Sequence, residues 1–229
     1  MCYTIEINLT REQLQKRFNA NLDPRLSYRK SQRVNAFSLP GCPVICSEDA
    51  VEIKLFKWGL IPFWTKDEEY ARNIRLKTFN AKAETITEKA SFRHLIKERK
   101  CLILTNGFYE WQARGLEKQP YFIGVKNMEA IALAGLYDHW ANPKTGEVMN
   151  TFTIITTHAN PMMEKIHNTK KRMPVILSQT DEPAWIDCAT PLDKTLSMLK
   201  PFDENMMFAE EVDKNLFSRK KEDEQQLLF

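Results

Sequence analysis

Short runs of alternating apolar and polar residues recur along this chain without regular helices between them, and that spacing excludes most architectures. They read as strands at Tyr3–Ile7, Val51–Phe56, Cys101–Leu104, Tyr121–Val125, Ala130–Leu136, Phe152–Thr157 and Pro174–Leu177. Helical spacing is clearest over Arg11–Phe18, where Thr10 is placed as N-cap and Gln13 to complete a capping box. Further helices are expected near Ser91–Lys97, Pro161–Ile166, Pro183–Ile186 and Leu192–Leu199. Strands outnumber helices and do not alternate with them. The expectation is therefore an α+β, β-rich single domain of mixed or antiparallel sheets rather than a doubly wound sheet.

Residues 1–215 are assigned to that domain, and 216–229, charged and polar, to a mobile tail. The 229 residues are 43% hydrophobic and 28% charged, ordinary globular values without repeats or low-complexity linkers. Mean hydropathy is −0.46 and no long apolar run occurs, which excludes a transmembrane helix. The opening MCYTIEINLTREQ has no basic segment followed by an apolar stretch, so a cytoplasmic protein is expected, nucleoid-associated if bacterial. Five cysteines then read as free thiols. Cys42 and Cys46 lack zinc-ligand spacing, and no metal or organic cofactor is expected. The net charge of +3 is compatible with nucleic acid without arguing for it. The basic clusters Lys97–Lys100, Lys170–Arg172 and Arg219–Lys221 each read, singly, as a solvated face.

The chemistry centres on Cys2, directly behind Met1. Removal of Met1 would give one residue two nucleophiles, a thiol and a free α-amine. Such a residue condenses with an aldehyde through its amine and closes a five-membered ring through its sulfur. It also suits N-terminal-nucleophile catalysis, with its own amine as base. Taken alone, Met-Cys is more simply an accident of the reading frame.

Five further segments change that balance. They are Phe79-Asn80-Ala81-Lys82-Ala83-Glu84-Thr85, Asn106-Gly107-Phe108-Tyr109-Glu110-Trp111, Ile166-His167-Asn168, Arg172-Met173-Pro174-Val175-Ile176-Leu177 and Trp58-Gly59-Leu60-Ile61-Pro62-Phe63-Trp64. With Met1-Cys2-Tyr3 in front, the chain resembles the SOS-response-associated peptidase (SRAP) family from Cys2 to about Leu177. The resemblance implies a barrel-like core with flanking helices. It also implies binding of single-stranded DNA at abasic sites and a covalent thiazolidine between Cys2 and the open-chain sugar aldehyde. Removal of Met1 by the protein itself, lyase-like strand cleavage and crosslink reversal are further implications.

The residue chemistry agrees. An α-amine with a pKa of roughly 7.7–8.0 is partly neutral at physiological pH. Glu110, among aromatic residues, is the candidate general acid/base for opening the sugar ring. His167 is the second proton carrier. Asn80 is assigned to holding the Cys2 amine or the sugar hydroxyls. For DNA, Trp64 is the base-stacking or wedge residue by family position, and Trp58 is the more natural core residue. Lys82 stands where the family commonly has Arg, and Arg172 is a further phosphate candidate. Asn35 begins a loose version of the family's Tyr-Asn-x-x-Pro segment. Cys2-Tyr3-Thr4 replaces the family's frequent Cys-Gly-Arg, so one phosphate contact is missing and Tyr3 is left to stack or occlude.

The terminal Gln225-Gln226-Leu227-Leu228-Phe229 resembles a bacterial clamp-binding peptide, with Gln225, Leu228 and Phe229 as anchors, and equally suits folding back on the domain. A monomer is expected. Two other readings stay open: an N-terminal-nucleophile amidase or peptidase, and a noncatalytic nucleic-acid-binding module.

Overall fold

The computed structural model describes residues 1–217. Its strands begin with β1 (Thr4–Ile7), β2 (Ser31–Asn35), β3 (Gly41–Cys46), β4 (Asp49–Trp58), β5 (Asn80–Lys82), β6 (Lys100–Thr105) and β7 (Gly107–Arg114). They continue with β8 (Glu117–Val125), β9 (Ile131–Ala141), β10 (Val148–His158), β11 (Arg172–Pro174), β12 (Ile176–Leu177) and β13 (Met207–Glu211). The helices are α1 (Arg11–Phe18), α2 (Glu68–Arg75), α3 (Leu95–Glu98), α4 (Pro161–Ile166), α5 (Glu182–Ile186) and α6 (Leu192–Ser197).

Strand β10 pairs with β4, β4 with β3, β3 with β6, β6 with β9, and β9 returns to β10, so five strands close into a barrel. The β10–β4 contact is parallel and short, from Thr151 opposite Lys57 to Phe152 opposite Trp58; the other four pairings are antiparallel. Closure leaves those strands no open edge. Beside the barrel lies an antiparallel sheet in the order β13-β8-β7-β1-β2.

Side-chain alternation explains why several strands are apolar on both faces. Cys101 and Ile103 of β6 join one core cluster with Ile5, Phe108 and Ile123 of the five-stranded sheet. Their neighbours Leu102 and Leu104 join a second cluster with Leu14, Ile96 and Trp185 from the helices. Every residue of β6 is buried, so this strand carries no polar stripe to mark its period.

The expected strands and helices are present, with shifted ends. The capping box at Thr10 is formed, and Pro174–Leu177 divides between β11 and β12. Strands β2, β3, β5, β7 and β13 and helix α2 went unassigned from the pattern. Leu216 and Phe217, placed in the tail from sequence, form the end of the 3-10 turn Lys214–Phe217. Phe217 packs on Tyr109 and Trp111, with ring centroids 5.2 and 4.9 Å away. Gln225, Leu228 and Phe229 lie outside the described residues.

Gly135, in the middle of β9, has no room for a side chain. An added Cβ would be driven into Ile103 Cδ1 and would lie 2.7 Å from the Thr153 carbonyl oxygen, part of the neighbouring backbone. Gly135→Ala is expected to cost about 1–3 kcal/mol through overpacking. Urea denaturation checks this: the midpoint falls at unchanged slope.

Candidate active site

Strand β1 starts only at Thr4, and the three residues before it precede the strand. Asn80, the first residue of β5, holds them there. It is paired to Ile154 of β10, and its Nδ2 donates to the Cys2 carbonyl at 2.8 Å. Its Oδ1 is buried without a hydrogen-bond partner.

Glu110 comes from β7 and is 4% exposed. Burial pushes its carboxyl up to about 7, against the pull of the nearby N-terminal ammonium and the Trp111 backbone amide. Its Oε1 has no hydrogen bond and lies 3.7 Å from the Met1 amine. His167 caps the C-terminus of α4. Its Nδ1 is 2.8 Å from the Arg172 carbonyl. A carbonyl only accepts, so in the neutral ring Nδ1 carries the proton and Nε2 offers its lone pair. That Nε2 lies 3.3 Å from the Met1 amine. His167 Nδ1 is 3.8 Å from Glu110 Oε1, too far for a hydrogen bond. The amine is thus bracketed by an imidazole acceptor and a buried carboxyl.

Burial lowers the pKa of the amine, opposed by Glu110 and reinforced by Lys170 and Arg172. Burial likewise lowers that of His167. Both effects favour neutral, nucleophilic or proton-accepting nitrogen at physiological pH. Cys2 behaves differently. It is fully buried in the apolar core, with Sγ 3.9 Å from the Thr4 carbonyl oxygen. Burial, then Glu110, push its thiol well above the ordinary range. With Met1 in place, Cys2 is a protonated core thiol.

Two clefts meet at Met1 and Tyr3. One, of about 340 Å³, is lined among others by Glu110, Trp111, Lys118, His167 and Lys170. The other, of about 240 Å³, is lined by Met1, Tyr3, Leu76, Lys77, Phe79 and Asn80. The Tyr3 ring packs at 5.2 Å on Phe37, which is 61% exposed and itself 5.1 Å from Phe79. Sequence reasoning missed Phe37, Lys77 and Lys118.

The structure gathers Cys2, Asn80, Glu110 and His167 around the first residue, whereas Trp64, Lys82 and Asn35 line neither cleft. Trp64 is 37% exposed beside Tyr70, on a loop held where Asp138 accepts from the Phe63 backbone amide at 2.8 Å. Trp58 is buried and stacked on Phe152. Lys82 is exposed at the end of β5. Asn35 accepts from the Phe37 backbone amide at 2.9 Å, capping a turn. Arg172 commits its fork to Glu84 at 2.6 and 3.0 Å and also donates to the Thr156 carbonyl. Its guanidinium is therefore engaged within the protein. Among the described residues, no three His, Cys, Asp or Glu side chains are grouped to hold a metal ion.

A family model described as SOS response associated peptidase (SRAP) matches residues 1–218. Abasic site processing protein YoqW of Bacillus subtilis (strain 168) is 42% identical over 158 residues, 68% of this chain and 67% of that protein. Abasic site processing protein HMCES of Gallus gallus is 34% identical over 173 residues, covering 66% of this chain and 50% of that protein. A crystal structure of a protein from Bacteroides thetaiotaomicron superposes with a TM-score of 0.91 at 37% identity, over 96% of this chain and 95% of that one.

The buried carboxyl has a consequence for stability. Glu110 titrates at about 7 in the folded protein and near 4.5 when exposed, so its protonated form stabilises the fold below pH 4.5. That stability is lost as pH rises to about 7, a penalty on the order of 1–3 kcal/mol. Glu110→Gln is therefore expected to be more stable than the parent at pH 8 and nearly equal to it at pH 4. Urea denaturation at both pH values, on chains with matched N-termini, checks this.

Proposed function

The chain belongs to the SOS response associated peptidase family, and on that premise we propose that it recognises abasic sites in single-stranded DNA and captures them covalently through Cys2. The observation that carries the reading is the amine of the first residue, 3.3 Å from His167 Nε2 and 3.7 Å from Glu110 Oε1, at the meeting of two clefts.

In the proposed sequence, hydrolysis of the Met1–Cys2 peptide bond comes first and consumes one water. Glu110 and His167 serve as proton carriers. Cys2 then holds the free amine. Glu110 in its protonated form assists opening of the closed sugar, which exposes the aldehyde. The amine adds to the aldehyde carbon and the resulting carbinolamine loses water to give an imine. The Cys2 thiol adds to the imine carbon and its proton passes to the nitrogen, closing a thiazolidine. Condensation releases one water in total. Before the ring closes, removal of a proton from the carbon beside the imine would expel the phosphate on the next carbon, a lyase-like cleavage for which His167 is the available base. Trp64, Lys82 and Asn35 are assigned to the flanking DNA, and Arg172 to holding the Glu84 loop. Gln225, Leu228 and Phe229 are assigned to a sliding clamp during the response to DNA damage.

Mass spectrometry of the protein, incubated with a single-stranded oligonucleotide bearing one abasic site, tests this. The expected result is loss of Met1 and an adduct on Cys2, both absent in Glu110→Gln, with no adduct in Cys2→Ala. Turnover of a small amide without DNA would instead favour the amidase. Normal oligonucleotide binding without any adduct would favour the binding module. Deletion of residues 225–229 is expected to abolish clamp binding and leave crosslinking intact, measured on immobilised clamp.

A further inference from the structure

Strand β7 has β8 along its whole length on one side, from Phe108 opposite Ile123 to Arg114 opposite Glu117. On its other side β1 reaches only from Gly107 to Tyr109. The stretch that follows Glu110 therefore has no strand neighbour on the side where the chain begins. Asn168, the residue after His167, fills this gap. Its Oδ1 accepts from the Ala113 backbone amide at 3.0 Å, and its Nδ2 donates to the Ala113 carbonyl at 2.9 Å. One carboxamide thus satisfies both backbone groups of a single residue, as a partner strand would. A second tie lies on the other side of His167, where Gln112 Nε2 donates to the Lys165 carbonyl at 2.8 Å.

We propose that Asn168, seconded by Gln112, is a positioning residue that fixes His167 over Glu110 by clamping the end of α4 to β7. The two ties flank His167 in the chain, and both land two or three residues beyond Glu110 on the same strand. His167 itself makes no hydrogen bond to Glu110; they stand 3.8 Å apart. Their mutual position is set by the backbones that carry them, and these three bonds join those backbones. The ring itself meets the Arg172 carbonyl through Nδ1 and the first residue's amine through Nε2, and its backbone is bonded within α4 and to the turn that contains left-handed Lys171. The groups that face His167 are the first residue's amine, Glu110, Lys170 and Arg172. The clamp keeps that set in one arrangement, with Nε2 on the amine.

Two readouts test this, and only the second rests on the proposed abasic-site reaction. The first follows the His167 ring by NMR titration in the parent, Asn168→Ala and Gln112→Ala. The proposal expects the His167 midpoint to rise toward its ordinary value in both variants, because a loosened turn admits water to a ring whose titration burial now depresses. The second is the rate of crosslinking against pH. About tenfold slower crosslinking is expected for Asn168→Ala, with a displaced pH profile and binding of undamaged oligonucleotide unchanged. Gln15→Ala, which removes a comparable side-chain bond to the Leu22 backbone on α1, serves as the stability-matched control. An unmoved His167 titration in both variants, or an equal rate loss in the control, would overturn the proposal. Should the parent itself fail to crosslink, the abasic-site reading falls, and the NMR titration still decides the clamp. If Asn168→Ala does not fold, Gln112→Ala carries both measurements.

Discussion

The ladder along β10 is the constraint from which the site follows. This strand runs antiparallel to β9 over seven residue pairs, from Val148 opposite Ala141 to Ile154 opposite Gly135. On its other edge it meets β4 and then β5, while β11 continues the β9 edge beyond Ile154. The first contact closes the barrel. The second places Asn80 opposite Ile154, where its amide reaches the Cys2 carbonyl. The third pairs His158 with Arg172, whose carbonyl orients the His167 ring. Helix α4 leaves directly from the end of the same strand. Asn80 and His167 thus owe their places to one strand. Cys2, just ahead of β1, and Glu110, on β7, arrive on the other sheet.

The site brings together three largely buried titratable groups, and burial moves each toward its neutral form. For Glu110 that means a carboxyl titrating at about 7, able to donate or accept a proton under physiological conditions. For the amine and His167 it means lowered basicity. The attractions among them partly offset burial: the Glu110 carboxylate holds the proton on the amine, and the ammonium in turn favours the ionised form of Glu110. An unpaired oxygen on Glu110 and another on Asn80 remain inside this cluster. Buried acceptors without donors cost stability, and such cost concentrates where a polar ligand will supply the missing donor.

Much of the fold was legible because β4 and β9 of the barrel and β8 of the neighbouring sheet stand out as apolar runs, and because Thr10 and Gln13 form a recognisable cap. The unassigned strands were hidden for identifiable reasons. Strand β3 is buried at five of its six positions and interrupted by Pro43, so its pattern has no polar phase. Strand β2, an edge strand with one buried residue, looks like a polar loop. Strand β5 has three residues, too few for any period. In β7 the aromatics fall on both faces, since Phe108 packs in the core while Tyr109 and Trp111 meet Phe217. Cys2, Asn80, Glu110 and His167 could be singled out as residue types in motifs. Their convergence could not, because the contact between the first residue and His167 spans 166 positions and joins the start of the chain, just ahead of β1 in one sheet, to the end of the helix that follows β10 of the other. Arg172 stands in a motif that suggests a phosphate ligand, and its ion pair with Glu84 is visible only in the folded chain.

The position of Cys2 gives the proposed chemistry an order. While Met1 is attached, the thiol is a core group with no exposure and a strong preference for its proton. The α-amine at the cleft is then that of Met1, which has no sulfur on the adjacent carbon to close a thiazolidine ring. Loss of Met1 moves the amine one residue inward. It would also vacate the space where the two clefts join. The anchor survives that change, because Asn80 binds the carbonyl of Cys2 itself and not that of Met1. Cys2 would therefore keep its backbone position while its surroundings open, and the aldehyde would enter where Met1 had been. On this reading Glu110 and His167 do not have to be rearranged between the two steps. The same carboxyl and imidazole that bracket the amine of Met1 would serve both proposed steps.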